Sequence, residues 1–109
     1  MTVHIIEDDR AVADSLAMVL SQMGHDVKVY NDGRTFLDAR LSPDDKVILD
    51  LHLPDIGPVA ILEHAKGQDV SVIVITALGK AQIDREIPGF DPSRILRKPI
   101  DPAILVDML

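Results

Sequence analysis

The sequence contains no cysteine, which excludes disulfide bridges and thiolate metal ligands at the outset. It has no tryptophan, one tyrosine and two phenylalanines. Its core must therefore be built from Val, Ile, Leu, Met and Ala, a composition suited to helices layered on a sheet. Basic residues are few: 11 Lys and Arg against 18 Asp and Glu, for a formal charge of −7. That balance argues against direct nucleic-acid binding, which needs clustered Lys and Arg. No apolar run approaches the roughly 20 residues of a bilayer span. The N-terminus also lacks the basic-then-apolar pattern of a leader. The expectation is a cytoplasmic protein without membrane contact. At 109 residues, 47% of them hydrophobic, the chain fits one domain spanning 1–109 with enough apolar side chains for a core.

What is present is organised around Lys46-Val47-Ile48-Leu49-Asp50-Leu51-His52-Leu53-Pro54-Asp55. A β-branched apolar run, the pattern of a strand buried on both faces, ends in an acid and is followed by a Pro-containing turn. Asp50 then lies at the carboxyl end of a strand, where open α/β sheets place their ligands.

Thr2-Val3-His4-Ile5-Ile6 reads as a first strand and runs into Glu7-Asp8-Asp9. Val12, Leu16, Val19, Leu20 and Met23 recur at helical spacing, Met18 and Met23 being assigned to the core, and Gly24 stops the helix. Asp26–Tyr30 alternates like a strand, and Asn31-Asp32-Gly33 is a turn. A short helix is expected over Arg34–Leu41, with Phe36, Leu37 and Leu41 inward. Another is expected over Val59–Lys66, ended by Gly67. Val70–Thr76 is strongly β-prone, Gly79–Ile87 is a weak helix, and Ile95–Arg97 a brief last strand. Asp101-Pro102 starts a final helix of about two turns, with Ile104, Leu105 and Met108 inward. Five strands alternating with five helices imply a parallel sheet covered on both faces.

In such a sheet the first strand delivers Glu7, Asp8 and Asp9 to one edge, the third Asp50, the fourth Thr76 and the fifth Lys98. Two carboxylates about 4 Å apart repel by roughly 4 kcal/mol at an effective dielectric of about 20. Hard oxygen ligands without cysteine favour Mg²⁺ as the relieving ion. A carboxylate nucleophile, a divalent ion, a hydroxyl and a lysine suit phosphoryl transfer, which is chiefly positioning and charge neutralisation. The bland readings are a turn acid for Asp50, helix caps for Asp8 and Asp9, a strand residue for Thr76 and a solvated lysine for Lys98. Glu7 is read as a bystander.

The ordered set Val3-His4-Ile5-Ile6-Glu7-Asp8-Asp9, Leu49-Asp50-Leu51-His52-Leu53-Pro54, Val72-Ile73-Val74-Ile75-Thr76-Ala77 and Lys98-Pro99 resembles the receiver domain of two-component response regulators. With Ser15-Leu16 and Leu20, the opening is most similar to receivers of the nitrogen-fixation regulator type. The resemblance implies a flavodoxin-like (βα)5 fold, doubly wound, with strand order 2-1-3-4-5. It implies that Asp50 accepts a phosphoryl group from a sensor histidine kinase or phosphotransfer protein, and that the domain catalyses only its own phosphorylation and dephosphorylation. Asp9 would ligate Mg²⁺ directly, Asp8 through water, and the carbonyl of His52 would join Asp50 in completing the set. Thr76 would donate to the phosphoryl oxygens and Lys98 would pair with them, with a cis bond before Pro99. The implied partners are the kinase, an output domain or effector and, on phosphorylation, a second copy of the chain.

The pattern also departs from the family. Gly57 falls one residue early, and the Asp50-to-Thr76 interval is short. Pro88-Gly89-Phe90-Asp91-Pro92 replaces the usual Ala-Gly-Ala stretch, and Ile95 stands where many members carry an aromatic residue. Two other functions remain open at this point. One is a receiver-like scaffold that is never phosphorylated. The other is a Mg²⁺-dependent aspartyl-nucleophile phosphatase, against which stands His52 at the place of that group's second acid. The short final helix leaves two readings: a stand-alone regulator, or a piece excised from a longer protein whose output domain has been removed.

Overall fold

The computed structural model describes residues 1–109. Its strands are β1 (Thr2–Ile6), β2 (Asp26–Tyr30), β3 (Lys46–Asp50), β4 (Ser71–Thr76) and β5 (Ile95–Arg97). All pair in parallel, in the expected order β2-β1-β3-β4-β5. The three most apolar runs take the centre because only central strands are covered on both faces. Val47 to Asp50 and Val72 to Thr76 are buried without a break, whereas β2, at an edge, is mostly exposed.

The helices are α1 (Arg10–Gln22), α2 (Gly33–Leu37), α3 (Pro58–Gly67), α4 (Lys80–Glu86) and α5 (Pro102–Asp107), with one 3₁₀ turn at Pro92–Arg94. Strand alternation divides the core into two layers. On one face Ile6, Leu49 and Val74 pack with Phe36, Ile61, Ala65 and Ile83 from α2, α3 and α4. On the other, Val3, Ile5, Ile48, Ile73 and Ile75 pack with Leu16 and Leu20 of α1 and Leu105 of α5. Burying each of these large aliphatic side chains stabilises the fold by about 1.5–3 kcal/mol.

Several expectations need correcting. Met18 and Met23 are not core: they are 62% and 55% exposed, because α1 turns only the Ala13–Leu16–Leu20 stripe to the sheet. Ile104 likewise faces out, leaving Leu105 as the buried residue of α5. Helix α2 ends at Leu37 rather than Leu41, closed by tighter bonds from Asp38 N to Thr35 O and Ala39 N to Phe36 O. Gly67 is the last residue of α3 and does not make its turn. The left-handed position is Asp69 (φ 57°), with Asp69 N bonded to Lys66 O and Val70 N to Ala65 O. Gly24 (φ 90°) occupies the same place after α1, with Gly24 N on Ser21 O and His25 N on Leu20 O.

Candidate functional site

Parallel pairing puts every strand's carboxyl end on one edge, and the register brings the polar residues level. Ile6 pairs with Leu49, Asp50 with Ile75 and Thr76 with Arg97. The residues just beyond these pairs therefore fall side by side, at the spacing of neighbouring strands. Lys98 N donates to Thr76 O at 2.8 Å, carrying the ladder one step past β5. The edge forms a depression of about 320 Å³ lined by Asp8, Asp9, Asp50, His52, Thr76 and Lys98 among others.

Asp50 lies at its base, 2% exposed. Its Oδ1 accepts from His52 N at 3.1 Å, and its Oδ2 is 3.3 Å from Lys98 Nζ. Lys98 also donates to Oε1 of Glu7 at 2.8 Å. Burial works against the ammonium charge, but the Glu7 hydrogen bond and the charges of Asp50 and Glu7 outweigh it and hold the lysine above its ordinary pKa. Thr76 is buried; its Oγ1 accepts from Leu78 N at 3.0 Å, which leaves the hydroxyl proton free to be donated. The Lys98–Pro99 bond is cis, as the family resemblance implied.

The structure gives the three acids after β1 different settings. Asp9 is exposed and caps α1, with Oδ1 accepting from Ala11 N at 3.0 Å and Val12 N at 3.3 Å. It stands on the rim of the depression with one carboxylate oxygen engaged as the cap. Glu7, read as a bystander, is fully buried. Its amide donates to Tyr30 O at 3.0 Å, continuing the sheet ladder, so its side chain is delivered into the site. Carboxylate oxygens of Glu7, Asp8 and Asp50 lie within 4.8 Å of one another. Burial first, then the neighbouring Asp50 carboxylate, push the Glu7 carboxyl up to about 7, with Lys98 opposing in part. Oε2 of Glu7 is buried without a hydrogen-bond partner. Three clustered carboxylates and an orphaned buried oxygen are the donor set that a hard cation satisfies, and they fit Mg²⁺.

Sequence reasoning also missed a second polar cluster, at the opposite edge of the sheet. His4 is buried in β1, with Nδ1 2.9 Å from the Tyr30 hydroxyl and Nε2 2.9 Å from Oδ2 of Asp45. Asp45 also accepts from Thr2 N and Ser42 N. The only signal in the sequence is a histidine set within an apolar strand.

Comparison with known proteins agrees with this fold. Residues 3–109 match the response regulator receiver domain family. The chain is 32% identical to the transcriptional regulatory protein FixJ of Azorhizobium caulinodans over 97% of this chain and 52% of that protein. It is 34% identical to the transcriptional regulatory protein QseB of Haemophilus influenzae over 82% of this chain and 41% of that one. FixJ and QseB match at similar identity, so the nitrogen-fixation type is hinted at but not singled out. A response regulator receiver protein from Burkholderia phymatum superposes with a TM-score of 0.79 at 25% identity, covering 98% of this chain and 90% of that one. A CheY-like receiver from Methanospirillum hungatei gives 0.81 at 20% identity over 98% and 88%, a likeness of fold alone. The chain spans about half the length of the curated relatives it matches. No helix is long and apolar enough to cross a membrane. With the family matched along nearly its whole length and the acidic edge in place, this chain belongs to the receiver domains of response regulators.

Proposed function

We propose that Asp50 is the phosphoacceptor, taking a phosphoryl group from a phosphohistidine on a sensor kinase or phosphotransfer protein. The observation that carries this reading is the setting of Asp50. It lies at the base of an open depression, with a lysine ammonium 3.3 Å from one oxygen and two further carboxylates beside it. A carboxylate oxygen of Asp50 would attack phosphorus as the P–N bond of the donor breaks, the bonding pair returning to the imidazole nitrogen. The product is an acyl phosphate. Glu7, Asp8, Asp50 and the carbonyl of His52 would hold Mg²⁺, which would neutralise charge on the transferring phosphoryl oxygens. Thr76 would donate its free hydroxyl proton to a phosphoryl oxygen. Lys98, now shared between Glu7 and Asp50, would turn to the new phosphate.

That exchange of partners is the switch: a charge newly placed at Asp50 draws in groups from β4 and β5 and shifts a two-state equilibrium read by an output domain or effector. A regulator of this kind works in the cytoplasm beside its kinase and pairs with a second copy of itself on phosphorylation. The domain modifies only itself.

The test is intact mass after incubation with acetyl phosphate and Mg²⁺. The expected result is a gain of one phosphoryl group, lost in Asp50→Asn and on chelation. No gain in the wild type, the behaviour of a scaffold, would overturn the reading. So would continuous hydrolysis of the substrate without a labelled protein, or retention of the label in Asp50→Asn.

A further inference from the structure

The loop after β3 carries His52 and is tied to the N-terminus of α2 by a side chain that the phosphoacceptor chemistry does not use. Oδ1 of Asp55 accepts from Gly33 N at 3.0 Å and Oδ2 from Arg34 N at 2.9 Å. Oδ1 of Asp32 takes the next amide, Thr35 N, at 2.8 Å. The first three amides of α2 are thus each held by a carboxylate oxygen, two of them from a loop 22 residues and 21 residues along the chain. These amides hold the Asp55 carboxyl below the usual carboxylate range. The grip therefore persists throughout the neutral range.

A second contact fixes the same two loops. A Cβ built on Gly33 would lie 2.4 Å from Cγ1 and 2.7 Å from Cδ1 of Ile56. Ile56 therefore rests against the bare Cα of Gly33, directly after the residue that grips its amide. On its other side the β2–α2 turn reaches the acidic edge, where Asn31 Nδ2 donates to the carbonyl of Glu7 at 3.2 Å. One turn thus braces the two segments that carry the candidate metal ligands: Glu7 and Asp8 on one side, His52 on the other.

The geometry points to Asp55 as a positioning residue for the metal site, holding the β3–α3 loop so that the His52 carbonyl and the Asp50 carboxylate face the same ion. This rests on the reading of Asp50 and its acids given above. Asp55 itself reaches neither phosphate nor metal; it acts through the loop. Partners outside the ligand set commonly change metal affinity 10- to 100-fold when removed. Here the expected change is about ten-fold, because the loop is also held by the strand it leaves and by Ile56.

The experiment measures Mg²⁺ affinity directly by calorimetry for wild type, Asp55→Ala and Asp55→Asn, with melting in chelator alongside. It also follows labelling by acetyl phosphate as Mg²⁺ is raised. Asp55→Ala is expected to weaken Mg²⁺ binding about ten-fold and to recover near-wild-type labelling at saturating Mg²⁺. Asp55→Asn keeps one acceptor for the two amides and should fall between. An unchanged Mg²⁺ affinity in a folded Asp55→Ala overturns the inference. So does a loss of labelling that saturating Mg²⁺ does not restore, or an affinity loss no larger than the unfolded fraction accounts for. Wild-type protein that binds Mg²⁺ but is not labelled would instead sink the phosphoacceptor reading while leaving the brace intact. Wild-type protein that binds no Mg²⁺ sinks both.

Discussion

Lys98 and Glu7 join the last strand to the first: Nζ of one donates to Oε1 of the other at 2.8 Å, across the face of Asp50. The glutamate is fully buried, and its second oxygen has no partner. Glu7, Asp8 and Asp50 bring more acid to this edge than one lysine neutralises, and burial together with the Asp50 carboxylate pushes the Glu7 carboxyl up to about 7.

The sign of the resulting pH dependence follows from linkage. Folded Glu7 holds its proton up to about 7, whereas the unfolded chain releases it near 4.5. Between those values the folded state binds more protons, so this group's stabilisation is complete below about 4.5 and is lost as pH rises through 7. Urea denaturation in chelator should give a lower midpoint at pH 8 than at pH 5.5. Glu7→Gln, which fixes the neutral form, should remove most of that difference. An equal midpoint difference in Glu7→Gln would show that the proton is held elsewhere.

Lys98→Ala removes the cation that both acids face. Breaking one partner of a buried ion pair costs about 3–5 kcal/mol, and the partial exposure of Lys98 places this case below that range. The loss should be larger at pH 8 than at pH 5.5, where Glu7 carries its proton. In a double-mutant cycle at pH 8, Glu7→Gln should cost little or nothing once Lys98 is gone. Additive losses would mean that the 2.8 Å contact contributes no coupling. Phosphorylation of Asp50 should survive Lys98→Ala, but the conformational response to it should not. Amide exchange with and without acetyl phosphate separates the two.

The sheet and most of the site were legible in the sequence because they depend on few, strong signals. Val47-Ile48-Leu49 and Val72-Ile73-Val74-Ile75 have no polar face, so they can only be central strands, and parallel order then sends Asp50, Thr76 and Lys98 to one edge. Three consecutive acids were harder to divide. Glu7, Asp8 and Asp9 are chemically alike, and only the helix start distinguishes them: a cap is needed just before Arg10, which commits Asp9 and leaves the two earlier acids for the site. Met18 and Met23 misled because a helix on one side of a sheet buries only a narrow stripe, and an apolar side chain can lie outside it. The Asp55 and Asp45 contacts join residues more than 20 apart through side chains, and periodicity carries no trace of such links.

Asp45→Ala should be among the most destabilising changes outside the core. It removes the acceptor for His4 Nε2, Thr2 N and Ser42 N, each of which then needs another partner. A buried group left unpaired costs about 1–3 kcal/mol, so a total near 3 kcal/mol is expected. Burial acts to raise the Asp45 carboxyl, but the hydrogen bonds from His4, Thr2 and Ser42 outweigh it and hold it below the usual range. Its stabilisation is therefore present above the ordinary carboxylate pKa and is lost as pH falls through the lowered value, a window separate from that of Glu7. Asp45 and its partners Thr2 and Ser42 lie at the amino ends of the strands, so labelling of Asp50 in the folded fraction should be unchanged. A labelling defect in fully folded Asp45→Ala would show that the two edges are coupled.

The turns after α1 and α3 offer a paired test of backbone strain. Both close with the same two hydrogen bonds, but one places Gly24 and the other Asp69 in the left-handed region, at φ 90° and 57°. Only glycine adopts that region without steric cost, and an L-residue there loses about 1–2 kcal/mol, less for Asp, whose short polar side chain tolerates it. Gly24→Ala should therefore destabilise by about 1 kcal/mol, although nothing lies within 4 Å of the added methyl. Asp69→Gly should stabilise by a smaller amount, since the flexibility that glycine adds to the unfolded chain offsets part of the relief. Thermal denaturation in chelator at one pH measures both. Opposite signs are expected; a loss in Asp69→Gly would mean that the Asp69 side chain contributes more than its backbone conformation costs.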